Sequence, residues 1–309
     1  MTRHFLRDDD LTPAEQRTVL ERAAALKADR FALRPLQGPQ VVALIFDKPT
    51  LRTQLSFTVG VAELGGHPMV VDGNLAQIGT RESVADVTRV IERHVAAIVW
   101  RTYGQDRIEE MAANSTVPVV NALTDDFHPC QILADLLTIT EHKGALAGLT
   151  MTYVGDGANN MAHSYLLGGA TAGMHVRIGA PSTHQPRADI LQRAGEIAAE
   201  TGGSVSVTDD PISAVLGADV VITDTWVSMG QEAEADDRKG VESPFAKFAV
   251  DRSLVDHAAQ DAIVMHCLPA YRGFEISGDV IDGPQSVVWD EAENRLHAQK
   301  AVLSFLLES

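Results

Sequence analysis

Six short polar clusters in the sequence combine side chains that can bind an anion, polarise a carbonyl or hold an amine. They are "TLRT" (50–53), "WRTYGQ" (100–105), "FHPCQ" (127–131), "GDGANN" (155–160), "DTWVSMGQ" (224–231) and "HCLP" (266–269). Each comes directly after a short apolar, β-branched run that has the composition of a strand, except "FHPCQ", which is separated from its run by four residues. In a parallel sheet, ligands bind beyond the carboxyl ends of the strands, so these clusters are candidate binding sites.

The "TLRT" turn has the composition of a small phosphate site. Thr50 and Thr53 can donate hydroxyl hydrogen bonds, and the backbone N–H groups of residues 51–53 can converge at a helix N-terminus. Arg52 adds a planar, permanently charged group that suits a phosphate or an acyl phosphate. The turn lacks the glycines and lysine of a P-loop. The alternative is that Thr50 caps the helix and Arg52 is a surface residue.

Two further clusters in the first half of the chain could act on the same ligand. Arg101 follows the run "AAIVW", and His128 and Gln131 follow "VPVVNA". A neutral imidazole and an amide can both donate to a carbonyl or phosphate oxygen. Taken singly, Arg101 could be a surface ion-pairing residue, and His128 could cap a helix above a buried glutamine.

The clusters of the second half favour an amino-acid ligand. Asn159 and Asn160 stand at a helix start, where they suit a zwitterion or serve as simple helix caps. Asp224 offers a carboxylate for an ammonium group, Ser228 offers a hydroxyl, and Cys267 could contact a reacting centre or be a buried structural thiol.

A metal centre is not expected. His128, Cys130, His266 and Cys267 lack the ligand spacing that places two zinc ligands on one ion.

The "GDG" of residues 155–157 is only half of a dinucleotide fingerprint, and Asp156 would put a negative charge where pyrophosphate lies.

The order of strand and helix patterns predicts the fold. "VVALIFD", "AAIVW" and "VPVVNA" alternate with helical segments, and the alternation restarts with "LTMTYVG", "HVRIGAP", "GSVSVT", "DVVITDTW" and "AIVMHCLP". This pattern predicts an α/β protein of two domains, each a parallel α/β sandwich, with the active site in the cleft that they share. A capping box predicts a helix over 13–28, and "HPCQILADLLTITEHKGALAG" predicts a long helix ending near Gly144. The acidic stretch 231–240 is expected to be a loop.

Composition limits the partners and the compartment. The 309 residues include 25 Lys and Arg against 42 Asp and Glu, a formal charge of −17, which disfavours nucleic acid or an anionic membrane as the main partner. Two cysteines far apart in the sequence fit a reducing cytoplasm. Residues 1–10 lack the apolar segment of a signal peptide, and no run is long enough for a membrane span.

Together with "EAENR" (291–295), the clusters resemble those of the carbamoyltransferases, and within them the branch that acts on ornithine. The resemblance implies transfer of a carbamoyl group from carbamoyl phosphate to the δ-amino group of L-ornithine, giving citrulline and phosphate, a step of arginine biosynthesis. It also implies a cytoplasmic homotrimer with shared active sites and no cofactor. The implied domains are 1–144 with 290–309 for carbamoyl phosphate, and 145–289 for ornithine.

The resemblance also assigns individual residues. Carbamoyl phosphate would be bound by Thr50, Leu51 through its backbone, Arg52, Thr53, Gln77 from a neighbouring subunit, Arg101, His128, Pro129, Cys130, Gln131, Cys267, Leu268 and Arg295. Ornithine would be bound by Asn160, Asp224, Ser228 and Met229. The catalytic residues would be Arg52, Arg101, His128, Asp224 and Cys267.

The phosphate turn departs from the pattern of this family, which usually reads Ser-Thr-Arg-Thr-Arg. Leu51 replaces a hydroxyl side chain, and Gln54 replaces a positive charge. Three alternatives stay open. One is a carbamoyltransferase for aspartate, putrescine or an N-acylated ornithine. The second is a nicotinamide oxidoreductase, suggested by the α/β pattern and "GDG", and the third is an amino-acid-binding relative without catalysis, suggested by Leu51 and Gln54.

Overall fold

The computed structural model describes residues 2–227, 237–238 and 243–308. The chain forms two compact units: Met1–Leu137 with Glu293–Ser309, and Thr138–Ala292. The domain boundaries near 144 and 290 stay a prediction. Within the described residues, no helix is long and apolar enough to cross a membrane.

The first unit contains a four-stranded, wholly parallel sheet in the order β2-β1-β3-β4. Its strands are β1 (Val41–Phe46), β2 (His67–Asp72), β3 (Ala97–Arg101) and β4 (Val119–Leu123). Its helices are α1 (Pro13–Ala28), α2 (Arg52–Glu63), α3 (Gly73–Ala76), α4 (Val84–Ile91) and α5 (Gln105–Ala113), after a 3₁₀ turn at Asp8–Asp10. Residues of β1, β3, β4 and α5 supply much of the buried core.

The second unit contains a five-stranded, wholly parallel sheet in the order β7-β6-β5-β8-β9. Its strands are β5 (Thr150–Val154), β6 (His175–Gly179), β7 (Ser204–Thr208), β8 (Val220–Thr223) and β9 (Ile263–His266). Its helices are α7 (Asn160–Thr171), α8 (Ala188–Thr201), α9 (Pro211–Val215), α10 (Arg252–Val255) and α11 (Gly278–Ile281), with a 3₁₀ turn at Ala246–Phe248.

The chain passes from one unit to the other within two helices, α6 (Pro129–Lys143) and α12 (Val288–Leu307). The predicted end of α6 is confirmed, because Gly144 adopts φ +80°, a conformation that glycine supplies at low cost at a helix C-terminus. The predicted helix over 13–28 is confirmed as α1. The Thr12 hydroxyl accepts from the Glu15 N–H, and the Glu15 carboxylate accepts from the Thr12 N–H at 2.9 Å.

The alternating apolar runs predicted the strands of both sheets except β2. This strand lies at the edge of its sheet, contains Pro68 and is mostly exposed. Proline is tolerated at a sheet edge because the missing N–H is not needed by a second neighbour. A sequence with a proline and few buried positions therefore carries a weak strand signal.

Both sheets reverse their strand order at one point, between β1 and β3 in the first unit and between β5 and β8 in the second. In open parallel sheets the two helices next to such a point lie on opposite faces, which leaves a crevice beyond the strand ends. "TLRT" follows β1 and Arg101 ends β3, while "GDGANN" follows β5 and Asp224 follows β8. Each unit thus places two of the predicted clusters at its crevice.

Candidate active site

The "TLRT" turn in the first unit leads from β1 into α2. Leu51 is the N-cap residue of α2 and makes no side-chain capping hydrogen bond, so the alternative in which Thr50 caps this helix is wrong. The first N–H groups of a helix have no partner within the helix, and the dipole makes this end positive. Arg52 begins α2 and is partly exposed. The turn can therefore offer backbone and guanidinium donors to one anion.

Two buried arginines converge on the Thr53 hydroxyl. Arg101 Nη1 lies 3.4 Å from Thr53 Oγ1, and Arg295 Nη2, from helix α12, lies 3.1 Å from the same oxygen. Because that oxygen accepts from both guanidinium groups, its own hydrogen is left to donate to a ligand. Two positive charges and a hydroxyl at one point form a local anion site in a protein whose net charge is −17.

His128 and Gln131 lie beside these arginines. Gln131 Oε1 accepts from Arg295 Nη1 at 2.6 Å, and Gln131 Nε2 donates to Asp135 Oδ1 at 2.8 Å, which fixes the orientation of Arg295. Burial, followed by the charges of Arg295 and Arg101, lowers the pKa of His128 well below 6.5. His128 is therefore neutral near pH 7, when one ring nitrogen can donate to a carbonyl oxygen.

This depressed pKa predicts how stability changes with pH. The unfolded state takes up a proton on His128 as pH falls below about 6.5, whereas the folded state stays neutral until a much lower pH. Folding stability should therefore fall as pH decreases below 6.5, by up to roughly 1.4 kcal/mol per pH unit from this group.

The measurement is urea unfolding at pH 5.5 and pH 7.5 of the wild type and of His128→Gln. The variant should show a smaller difference in the free energy of unfolding between the two pH values. An equal difference in both proteins would contradict a depressed pKa at His128.

Pro129 and Cys130 begin α6, directly after His128. The Cys130 thiol is fully buried and donates to the Asn121 carbonyl at 3.3 Å, and burial raises its pKa to about 12. This thiol is a structural group, so a contact of Cys130 with carbamoyl phosphate would have to come from its backbone. Pro129 has no N–H to donate and is buried.

Two other predicted residues of this unit are on the surface. Leu51 is 75% exposed, which fits a residue that binds through its backbone. Gln77 is exposed and has φ +51°, in the loop after α3. The Arg107 side chain holds this loop by donating to the Ile78 carbonyl at 2.8 Å and to Asp47 Oδ2 at 3.2 Å.

The second unit brings Asp224 and Cys267 together at the ends of the neighbouring strands β8 and β9. Cys267 Sγ donates to Asp224 Oδ1 at 3.1 Å. Burial raises the pKa of Asp224, although the electrostatic interaction with His266 and the thiol hydrogen bond act in the opposite direction. A buried carboxylate of this kind is suited to an ammonium group or an amine.

The "GDGANN" turn supplies the other side of this crevice. Asn159 caps α7 through the Ala162 N–H at 2.9 Å and also donates to the buried Tyr153 hydroxyl at 2.8 Å, which leaves Asn160 at the first helical position. Asp156 is paired with Arg238 at 2.7 Å. The sequence did not predict this ion pair, since Arg238 lies far along the chain in an acidic segment.

Three potential metal-ligand atoms, from Asp224, His266 and Cys267, lie within 4.8 Å of one another. Both imidazole nitrogens of His266 already have partners, because Nδ1 accepts from the Leu268 N–H at 2.9 Å and Nε2 contacts Glu275 Oε1 at 3.3 Å. A metal would have to displace one of these, so this cluster fits an amine-binding role better. Ser228, Met229 and most of 231–240 lie outside the described residues.

The first crevice thus gathers hydrogen-bond donors that suit an anion, and the second holds a buried carboxylate that suits an amine, as expected of an α/β enzyme that acts on these two kinds of ligand. The model of the aspartate/ornithine carbamoyltransferase carbamoyl-phosphate-binding domain matches residues 3–141, and that of the Asp/Orn-binding domain matches residues 147–306. The chain belongs to the aspartate/ornithine carbamoyltransferase family.

Individual relatives agree with this family. The chain is 63% identical over 307 residues to an ornithine carbamoyltransferase of Clavibacter sepedonicus, covering 99% of each chain, and 59% identical to one of Renibacterium salmoninarum, covering 100% and 99%. Among solved structures, the ornithine carbamoyltransferase of Pyrococcus furiosus matches with a TM-score of 0.94 and 45% identity over 100% of this chain and 98% of that one.

Proposed function

We propose that the protein transfers the carbamoyl group of carbamoyl phosphate to the δ-amino group of L-ornithine, giving L-citrulline and phosphate in arginine biosynthesis. The convergence of Arg101 and Arg295 on Thr53 beside a neutral His128 is the observation that carries the proposal. Such a set fits a ligand with both a phosphate and a carbonyl. The names of relatives that match over the full length of the chain support ornithine as the acceptor.

The reaction forms one bond and breaks another. The neutral δ-amine attacks the carbonyl carbon, and the bond from that carbon to the phosphate oxygen breaks, so phosphate leaves with the electron pair. The proton lost by the amine is taken up by the phosphate. Arg52 and Arg101 stabilise the charge on the departing phosphate, and His128 donates to the carbonyl oxygen, where negative charge develops.

The amine must be neutral and correctly placed before it attacks. In solution a lysine-like amine has a pKa of roughly 10.4, so the site has to bind it in a form that can lose a proton. Asp224 and Cys267 form the pair that would orient this amine, with Asn160, Ser228 and Met229 binding the rest of the amino acid. Holding the two reactants in place supplies much of the rate enhancement in transfers of this kind.

Family membership supports two further proposals. We propose that the two domains share the cleft in which the reaction takes place, because transfer requires the two substrates to meet. We also propose a cytoplasmic homotrimer in which Gln77 reaches the carbamoyl phosphate of a neighbouring subunit. The exposed position of Gln77 is compatible with contact to another chain.

The departures in the phosphate turn predict a measurable effect. Gln54 stands where the family usually has an arginine, and an added positive charge close to a dianionic ligand should strengthen its binding. The double variant Leu51→Thr, Gln54→Arg is therefore expected to lower the KM for carbamoyl phosphate by about threefold to tenfold, as one exposed ionic hydrogen bond would.

The control for this variant is Gln185→Arg, a change in the second unit. An unchanged or higher KM in the double variant would show that the turn binds its ligand through the backbone and the remaining side chains alone.

An acceptor panel tests the proposed function. Purified protein is given carbamoyl phosphate with ornithine, N-acetylornithine, putrescine or aspartate, and the carbamoylated products are quantified. Turnover with ornithine alone is expected. Preference for another acceptor would overturn the choice of ornithine, and no product with any acceptor would overturn the proposed reaction.

A further inference from the structure

His266 and Glu275 form a buried pair directly under the "HCLP" turn. Both side chains are fully buried, and His266 Nε2 lies 3.3 Å from Glu275 Oε1. The other ring nitrogen, Nδ1, accepts from the Leu268 N–H at 2.9 Å. The imidazole therefore links a fixed carboxylate on one side to the backbone of the turn on the other. The reaction described above assigns no role to either residue.

We propose that His266 and Glu275 are positioning residues, which hold the Cys267–Leu268 turn in the conformation that the reaction requires. This inference rests on the proposed function for its kinetic consequence, but its structural consequence can be measured without any turnover.

The hydrogen bonds fix the tautomer of His266. Since the Leu268 N–H donates to Nδ1, that nitrogen carries no proton, and the single ring proton lies on Nε2, facing Glu275 Oε1. The carboxylate thus selects the one tautomer that can accept from the turn. The same relation between a carboxylate and an imidazole orients histidines at many active sites.

The turn needs such a restraint because Leu268 has φ +57°, which non-glycine residues adopt at a cost in energy. A conformation of this kind persists only when its surroundings hold it. The hydrogen bond to His266 Nδ1 spans the turn from residue 266 to residue 268, with Cys267 between them. Releasing it should allow Leu268 to relax and should move the Cys267 thiol away from Asp224.

Glu275 is held firmly enough to serve as an anchor. Its Oε1 also accepts from the Tyr271 N–H at 2.5 Å, and its backbone carbonyl accepts from the Val250 N–H at 2.8 Å. The backbone N–H of His266 donates to Glu291 Oε2 at 2.9 Å. Both ends of the pair are thus tied to the second unit, so the imidazole has little freedom to follow a moving turn.

Two substitutions of His266 separate positioning from simple packing. Asparagine places an oxygen the same number of bonds from the backbone as Nδ1, so His266→Asn keeps an acceptor for Leu268. Glutamine places its terminal nitrogen as far out as Nε2, so His266→Gln keeps the contact with Glu275 and loses that acceptor. The matching pair at the other residue is Glu275→Gln, which keeps an oxygen at Oε1, and Glu275→Leu, which does not.

The first readout is the rate at which iodoacetamide alkylates Cys267, followed by peptide mapping. Losing a buried hydrogen bond should speed alkylation by about tenfold in His266→Gln and Glu275→Leu, and by less than about threefold in His266→Asn and Glu275→Gln. Cys130 is fully buried and should stay unlabelled in every folded variant, so it reports unfolding in the same experiment.

The second readout is kcat/KM for ornithine, which should follow the same order, with about a tenfold loss in the variants that release the turn. Equal effects of asparagine and glutamine at position 266, in proteins whose Cys130 stays protected, would overturn the proposal. If a variant at position 266 unfolds, the comparison of the two variants at position 275 tests the proposal instead, and the reverse also holds. A wild type without citrulline formation would refute the proposed function and leave the alkylation test intact.

Discussion

Replacing Arg101 with alanine is expected to lower kcat/KM for carbamoyl phosphate by about 10²- to 10³-fold. Arg101 is 5% exposed and ends strand β3, and its guanidinium group shares the Thr53 hydroxyl with Arg295. In such a buried place a lost donor cannot be replaced by solvent at low cost. The loss should fall mainly on kcat, because charge on the phosphate increases as the bond to carbon breaks.

The control for this change is Arg89→Ala. Arg89 is exposed on α4 and pairs with Asp86 three residues earlier, so its removal should change kcat/KM by less than about twofold. Circular dichroism and thermal melting establish that both variants are folded. A folded Arg101→Ala protein that keeps more than about a fifth of the wild-type value would remove Arg101 from the mechanism.

Replacing Asp224 with asparagine is expected to raise the KM for ornithine by about 30-fold or more. Asparagine is nearly isosteric and can still accept from the Cys267 thiol, so the change removes the charge with little change in shape. Asp224 belongs to the amine-binding unit, and the KM for carbamoyl phosphate should stay within about threefold of the wild type. Equal increases in both KM values would contradict the division of roles between the two units.

The raised pKa of Asp224 predicts that the KM for ornithine depends on pH. A carboxyl whose pKa is raised by burial takes up a proton at a higher pH than an exposed aspartate, and the neutral form binds an ammonium group poorly. The KM of the wild type for ornithine should therefore increase as pH is lowered, more steeply than that of Asp224→Asn. The same pH dependence in both proteins would show that another group controls it.

The fold could be predicted largely from apolar periodicity, because buried parallel strands are short β-branched runs separated by helices. The strand β2 was not predicted, because an edge strand needs fewer buried residues and tolerates a proline such as Pro68. The same pattern predicted where the polar clusters lie, because the carboxyl ends of parallel strands lie along one edge of their sheet.

The contacts within the site could not be predicted in the same way. Arg295 lies 242 residues from Thr53, and Arg238 lies 82 residues from Asp156. Nothing in the local sequence around either arginine marks its partner. Glu275 stands alone in "YRGFEISGDV", so its pairing with His266 depends on the packing of the chain after β9. Patterns of residue types identify such groups only when they occur close together in the sequence.

The ratio of the two products tests the proposed carbamoyl transfer. Purified protein is incubated with carbamoyl phosphate and L-ornithine, and citrulline and phosphate are measured together over time against a reaction without enzyme. We expect one phosphate for each citrulline, at a rate that depends on both substrates. Phosphate release without citrulline, or formation of neither product by folded protein, would contradict it.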